Sequence, residues 1–166
     1  LKNENSNMFM KIGKVSEKLK NDLSKIGLKA KRFVHAIRDN DIRHIEKSHG
    51  LKSNDKYKVS KEDYLLLNDI FNDYDVLYKG YNTKEGNTTI AYEKVFNNKI
   101  YVVEEVYENG VLSVKQIIKT GQYSKPSFLK KYQIISSKNN ASVVSSMTHS
   151  TDYTNSPPSD HVQDVI

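Results

Sequence analysis

The sequence predicts an α+β domain in which N-terminal helices precede a four-stranded antiparallel sheet. Three observations carry this. In the N-terminal half, apolar residues recur at spacings of three and four, the period of a helix with one buried face. From Asp75 onward the pattern shifts to four runs rich in Val, Ile and Tyr, the composition of strands. Short Asn-containing links join the later runs, which is the chemistry of tight hairpins.

The first helix is expected over residues 7–26, with Ser6 as N-cap, Met8, Ile12, Val15, Leu19, Leu23 and Ile26 on its buried face, and Gly27 as its stop. Gly13 weakens it by ~1 kcal/mol. Residues 32–37 fit a short strand or the start of a helix. Asp39 or Asn40 caps a helix over residues 41–48 that Gly50 ends. A further helix follows Ser60 and Asp63, a capping box ahead of Tyr64, Leu65, Leu67, Ile70 and Phe71. The four strands are expected over residues 76–81, 88–96, 99–107 and 111–119. Asn97-Asn98 and Asn109-Gly110 accept the positive φ of two-residue turns. Those turns fix the register: Lys94 faces Tyr101, Tyr92 faces Val103, Tyr107 faces Leu112 and Glu104 faces Lys115. One sheet face then carries Tyr92, Lys94, Tyr101, Val103, Glu105, Leu112, Val114 and Gln116. The other carries Val95, Ile100, Val102, Glu104, Val106, Lys115 and Ile117. The second face is the more aliphatic, so the helices are expected there, with the tyrosines on an open face.

Charge divides the chain of 166 residues. Its net charge is +6, and 37% of its residues are hydrophobic. Residues 1–63 hold most of the positive charge, whereas residues 139–166 contain three Asp and no Lys or Arg. We read residues 1–31 as a basic helical extension, 32–138 as the folded domain and 139–166 as a disordered Ser/Thr/Asn-rich tail. The absence of Cys rules out disulfides and thiolate metal sites. No apolar run approaches the ~18 residues of a membrane span, and no signal peptide is visible. The chain starts with Leu and is read as a piece of a longer protein.

Two of the five His lie close together, His44 and His49. Their spacing sets the rings ~140° apart on a helix, unlike the one-face pair of a zinc protease. Proton transfer without metal suits them better, since His titrates near neutrality. The Lys and Arg residues suit a polyanion, and Tyr interleaved with Lys on a sheet suits base stacking. No phosphate-cradling Gly loop, nucleophile elbow or calcium loop is present.

The block RHIEKSHG (Arg43 to Gly50), the capped helix that begins at Ser60, and the run IAYEKVFNNKIYVVEEVYENGVLSVKQIIK (Ile90 to Lys119) resemble the phage-associated branch of the barnase/EndoU/colicin-nuclease/RelE-like nucleases. Such domains sit at the C-termini of phage minor head proteins and in mobile-element toxins. The resemblance implies RNA cleavage without metal or cofactor, by attack of a ribose 2′-hydroxyl on the adjacent phosphate. It implies catalytic roles for His44, His49, Lys94, Glu105 and Lys115, with Arg43, Tyr92, Tyr101, Ser113 and Gln116 holding substrate. Gln116 stands where the family pattern has Thr. The face assignment separates Ser113 and Lys115 from Lys94 and Glu105 unless a bulge intervenes. RNA is the implied partner, beside an immunity protein or a phage head or portal protein, in the bacterial cytoplasm or the virion. A second reading is a non-catalytic virion or nucleic-acid-binding domain on the same fold, and a third an unrelated nucleotide transferase.

Overall fold

The computed structural model describes residues 8–29 and 34–139. The chain runs β1 (Phe9–Lys14), α1 (Glu17–Ser24), β2 (Val34–Arg38), α2 (Asp39–His49), α3 (Lys61–Leu65), α4 (Leu67–Asn72), β3 (Val76–Asn82), β4 (Thr88–Phe96), β5 (Lys99–Glu108), β6 (Val111–Gly121), a 3₁₀ turn (Ser127–Lys131) and β7 (Gln133–Ser137). The seven strands form one mixed sheet in the order β1-β2-β6-β5-β4-β3-β7. Only the β2–β6 pair is parallel. Among the described residues no helix is long and apolar enough to cross a membrane.

The expected four-stranded sheet preceded by helices is therefore corrected to seven strands, and the described chain opens with a strand. Where a single helix was expected over residues 7–26, β1 pairs with β2 and only residues 17–24 are helical. Ser16, not Ser6, caps that helix, its hydroxyl accepting from the Leu19 N–H at 3.2 Å. The spacing of Met8, Ile12 and Val15 suits a helix. The structure instead places Ile12 in β1, where it is the extra residue at a register shift between Lys11 and Gly13, with Met8 and Val15 flanking the strand. Gly27, at φ 81°, turns the chain just beyond the helix as expected. α2 matches its expected position, but no side chain caps its N-terminus. The Ser60 box forms: the Ser60 N–H donates to Asp63 at 2.8 Å. A turn at Leu66 splits that helix into α3 and α4.

The central meander matches the expected strands closely. Asn97, Asn98, Asn109 and Gly110 all have positive φ, as two-residue turns of this type require. The β4–β5 register is the expected one. The β5–β6 register holds from Glu108 to Glu105, then shifts, so that Glu104 faces Gln116 and Lys115 is the extra residue.

The helices cover the face opposite to the one expected. The main core joins Tyr92, Tyr101, Val103, Leu112, Val114 and Ile117 of the sheet to Leu19, Leu23, Ile45, Leu67, Ile70 and Phe71. A smaller cluster on Val76, Tyr78, Ala91, Ile100 and Val102 is closed by Leu129, with Phe128 and Tyr132 beside it. The tyrosine-rich face can be buried because its hydroxyls have carboxylate partners: Tyr74 donates to Asp22 (2.5 Å), Tyr92 to Glu105 (2.8 Å) and Tyr101 to Asp63 (2.9 Å).

At one end of this core, Asp73 after α4 is gripped by Lys138 beyond β7 and Lys94 on β4, each at 2.7 Å. These hydrogen bonds, Lys138's first, hold its carboxyl at about 2. A depressed carboxyl stabilises the fold above the unfolded value of about 3.9, and that contribution is lost as pH falls towards 2. Asp73→Asn is therefore expected to flatten the acid limb of a stability–pH curve between about pH 4 and 2, as read by urea midpoints.

Candidate active site

The C-terminus of α2 is held by its own backbone. The Gly50 N–H returns to the Glu46 carbonyl at 3.1 Å, and the Val59 N–H caps the His49 carbonyl at 2.7 Å. A side chain at residue 50 would overlap the Glu46 backbone, so glycine is required by close approach. Between these anchors the chain makes a tight loop, with the Ser53 N–H on the Gly50 carbonyl at 2.9 Å and the Asp55 N–H on the Ser53 hydroxyl at 3.3 Å. Gly50→Ala is expected to cost about 1–3 kcal/mol by overpacking and to displace His49, lowering thermal midpoint and activity together.

The loop delivers Asp55 to His49. The Asp55 carboxylate lies 2.6 Å from Nδ1, and the Gln116 amide nitrogen lies 3.2 Å from Nε2. This network assigns the imidazole proton to Nδ1, facing the carboxylate, and leaves the lone pair on Nε2. The His49 side chain is 18% exposed. Around it opens a cleft of about 320 Å3 lined by Asp55, Lys56, Tyr57, Lys119 and Thr120. Lys99 lies 4.8 Å from the centre of the Tyr57 ring and Lys56 5.4 Å from it. Lys119 is tied to Asp63 at 3.0 Å. Burial pushes the Asp63 carboxyl up, but the Ser60 N–H, Lys119 and Tyr101 outweigh it and hold it below its ordinary value. Among the described residues no three His, Asp or Glu side chains converge on a metal position.

The structure brings His49 and Gln116 together and separates most of the other expected site residues from them. Lys115, the extra residue of the β6 bulge, pairs with Asp41 at the start of α2 at 3.0 Å. His44 is exposed on α2, outside this cleft. Arg43 is also exposed, bonded to Asp39 and Asn40. Lys94 lines a different hollow, of about 410 Å3, with Asp69, Asp73, Phe96 and Tyr101. Tyr101 is buried beneath that hollow, its hydroxyl on Asp63.

Glu105, Tyr92 and Ser113 are buried with no exposed surface, so none meets a substrate in this conformation. Glu105 belongs to an interior network that the sequence did not suggest. Its two carboxylate oxygens lie 2.9 and 3.0 Å from His35 Nδ1, and one also accepts from the Tyr92 hydroxyl. His35 stacks on Phe71 with centroids 4.0 Å apart. Burial pushes the Glu105 carboxyl above its ordinary value, against the pull of His35 and Tyr92. The Ser113 hydroxyl has no hydrogen-bond partner.

Sequence reasoning missed Asp55, Lys56, Tyr57, Lys99, Lys119 and Thr120. The only signal was an acidic residue in a polar loop shortly after His49.

A family model described as phage-Barnase-EndoU-ColicinE5/D-RelE like nuclease 3 matches residues 11–117, more than half of the chain, from inside β1 to inside β6. No curated protein and no solved structure matched the chain.

Proposed function

The chain belongs to this family of phage-type nucleases, and from that premise we propose that it is an endoribonuclease that works without metal through His49. The observation that carries the reading is the Asp55–His49–Gln116 relay at the wall of a basic cleft. In this reading the ribose 2′-hydroxyl displaces the Gln116 amide from His49 Nε2, which then takes its proton. The 2′-oxygen attacks the adjacent phosphorus and expels the 5′-oxygen, leaving a 2′,3′-cyclic phosphate and a 5′-hydroxyl. Asp55 orients the ring and stabilises the imidazolium that forms. Lys99 and Lys119 supply positive charge for the phosphorane, and the Tyr57 ring offers a surface for a base. Protonation of the departing 5′-oxygen is assigned to Lys56, at the rim. His44 has no role in this scheme. Glu105 and Tyr92 act at a distance, by keeping the sheet under the cleft in place. As a domain of a phage or mobile element, the protein would act on RNA in the bacterial cytoplasm.

The test is incubation with total RNA and tRNA in excess EDTA. The wild type is expected to leave cyclic phosphate ends. His49→Ala is expected to slow cleavage by about 10²–10⁴-fold, the usual worth of a general base, while His44→Ala stays close to wild type. A folded wild type that leaves RNA intact, or full activity in His49→Ala, overturns the reading.

A further inference from the structure

Other residues of the 50–58 loop line a second, larger hollow, of about 500 Å3. Its wall includes Gly50, the residue after His49, so the two openings share the end of α2. Val59, Leu51 and the Tyr64 ring contribute apolar surface, whereas Lys47, Lys52 and Lys61 bring exposed ammonium groups. None of these three lysines makes a hydrogen bond or ion pair among the described residues. The Tyr64 hydroxyl is buried and has no hydrogen-bond partner. Such a group is costly to leave unsatisfied, and natural structures rarely do so without a reason. Burial first, and then the nearby Glu46 carboxylate, raise this phenol to about 12, so it remains a neutral donor at any physiological pH. An aromatic ring, an unused donor and loose cations together fit a ligand with a flat polar face and an attached anion.

We propose that this hollow is a second nucleotide subsite for single-stranded RNA. A base packs on Tyr64 and Val59, a small turn of the Tyr64 side chain brings its buried hydroxyl to the base as a donor, and the flanking phosphates lie against Lys47, Lys52 and Lys61. The loop between the two openings then becomes a ridge over which the strand passes, with cleavage on one side and grip on the other. The proposal rests on the nuclease reading for its substrate but not for its test.

Binding of a fluorescein-labelled oligoribonucleotide of about ten residues is measured to the full chain carrying His49→Ala, where cleavage is slowed by about 10²–10⁴-fold. Adding Tyr64→Phe is expected to weaken binding about 3–10-fold, one hydrogen bond's worth, without lowering the thermal midpoint. Adding Lys47→Ala, Lys52→Ala and Lys61→Ala together is expected to weaken it further and to reduce the slope of log affinity against log salt by about 2, since each phosphate contact on a single strand contributes about 0.7. In the active protein the same lysine changes are expected to raise KM for long RNA and leave kcat and the cleavage of a dinucleotide unchanged. Unchanged affinity and salt slope in both sets of variants overturn the subsite even if the wild type cleaves RNA. Absent cleavage with these binding losses intact overturns the nuclease reading and keeps the subsite.

Discussion

His35→Phe is expected to destabilise the protein by about 3–5 kcal/mol near neutral pH, the usual consequence of removing the partner of a buried carboxyl. Phenylalanine keeps the ring stacked on Phe71 and fills much the same volume, so the loss isolates the contact with Glu105. That carboxyl, with no exposed surface, would keep only the Tyr92 hydroxyl as a donor. Burial already raises it, and His35 is the main force pulling it down. Without His35 it rises further. A carboxyl raised in the folded state favours folding while it is protonated, and that support fades as pH rises from the unfolded value of about 4.3 through the folded one. The gap between variant and wild type should therefore be smaller at pH 4 than at pH 8. Urea midpoints at the two pH values measure it. His35→Phe combined with Glu105→Leu is expected to recover most of the stability, leaving about 1–3 kcal/mol for the stranded Tyr92 hydroxyl. Equal stability of His35→Phe and wild type at both pH values would show that the network carries no charge.

Asp55→Asn is expected to reduce RNA cleavage by about 10²–10⁴-fold, nearly the loss in His49→Ala. The amide fills the carboxylate's place but turns its NH2 towards Nδ1. That nitrogen must then accept, the ring proton moves to Nε2, and the lone pair that takes the 2′-hydroxyl proton is gone. Asp55→Ala leaves the ring free to adopt either tautomer and should retain more activity than Asp55→Asn. This order is the signature of the tautomer argument. A loss of stability would produce the reverse or no order. Asp55 is more than a third exposed, so both variants should melt close to wild type.

The parts of the fold legible in the sequence were the local ones. Asn109-Gly110 and Asn97-Asn98 announced their turns, and with them the β4–β5 register, because the conformational demand sits in the turn residues themselves. The Ser60–Asp63 box was legible for the same reason. The β2–β6 pair joins Val34 to Val111, and the β3–β7 pair joins Val76 to Ser137. No short-range pattern specifies such partners, so β1 reads as helix, β7 gives no signal, and β2 reads equally as a short strand or the start of a helix. The choice of buried face failed because Tyr was treated as half-polar, whereas the hydroxyls of Tyr74, Tyr92 and Tyr101 each have a carboxylate. At the site, His49 and Gln116 were legible as motif positions. Asp55 was not, because its role depends on how a nine-residue loop folds back, a matter of the Gly50 and Val59 backbone hydrogen bonds.

The parallel pairing of β2 with β6 also bears on how the protein is made. α2 and the loop carrying Asp55 leave the ribosome early, but Gln116, Lys119 and Thr120 lie on the last strand of the meander. Pairings of high sequence separation close late. During synthesis the first sixty residues can hold His49 beside Asp55 yet have no opposite wall, and β2 has no neighbour on its β6 side. The cleft is completed only when β6 has been translated and has docked. On the reading of this cleft as an RNA-cleaving site, the segment that carries His49 and Asp55 thus stays incomplete until β6 has joined it.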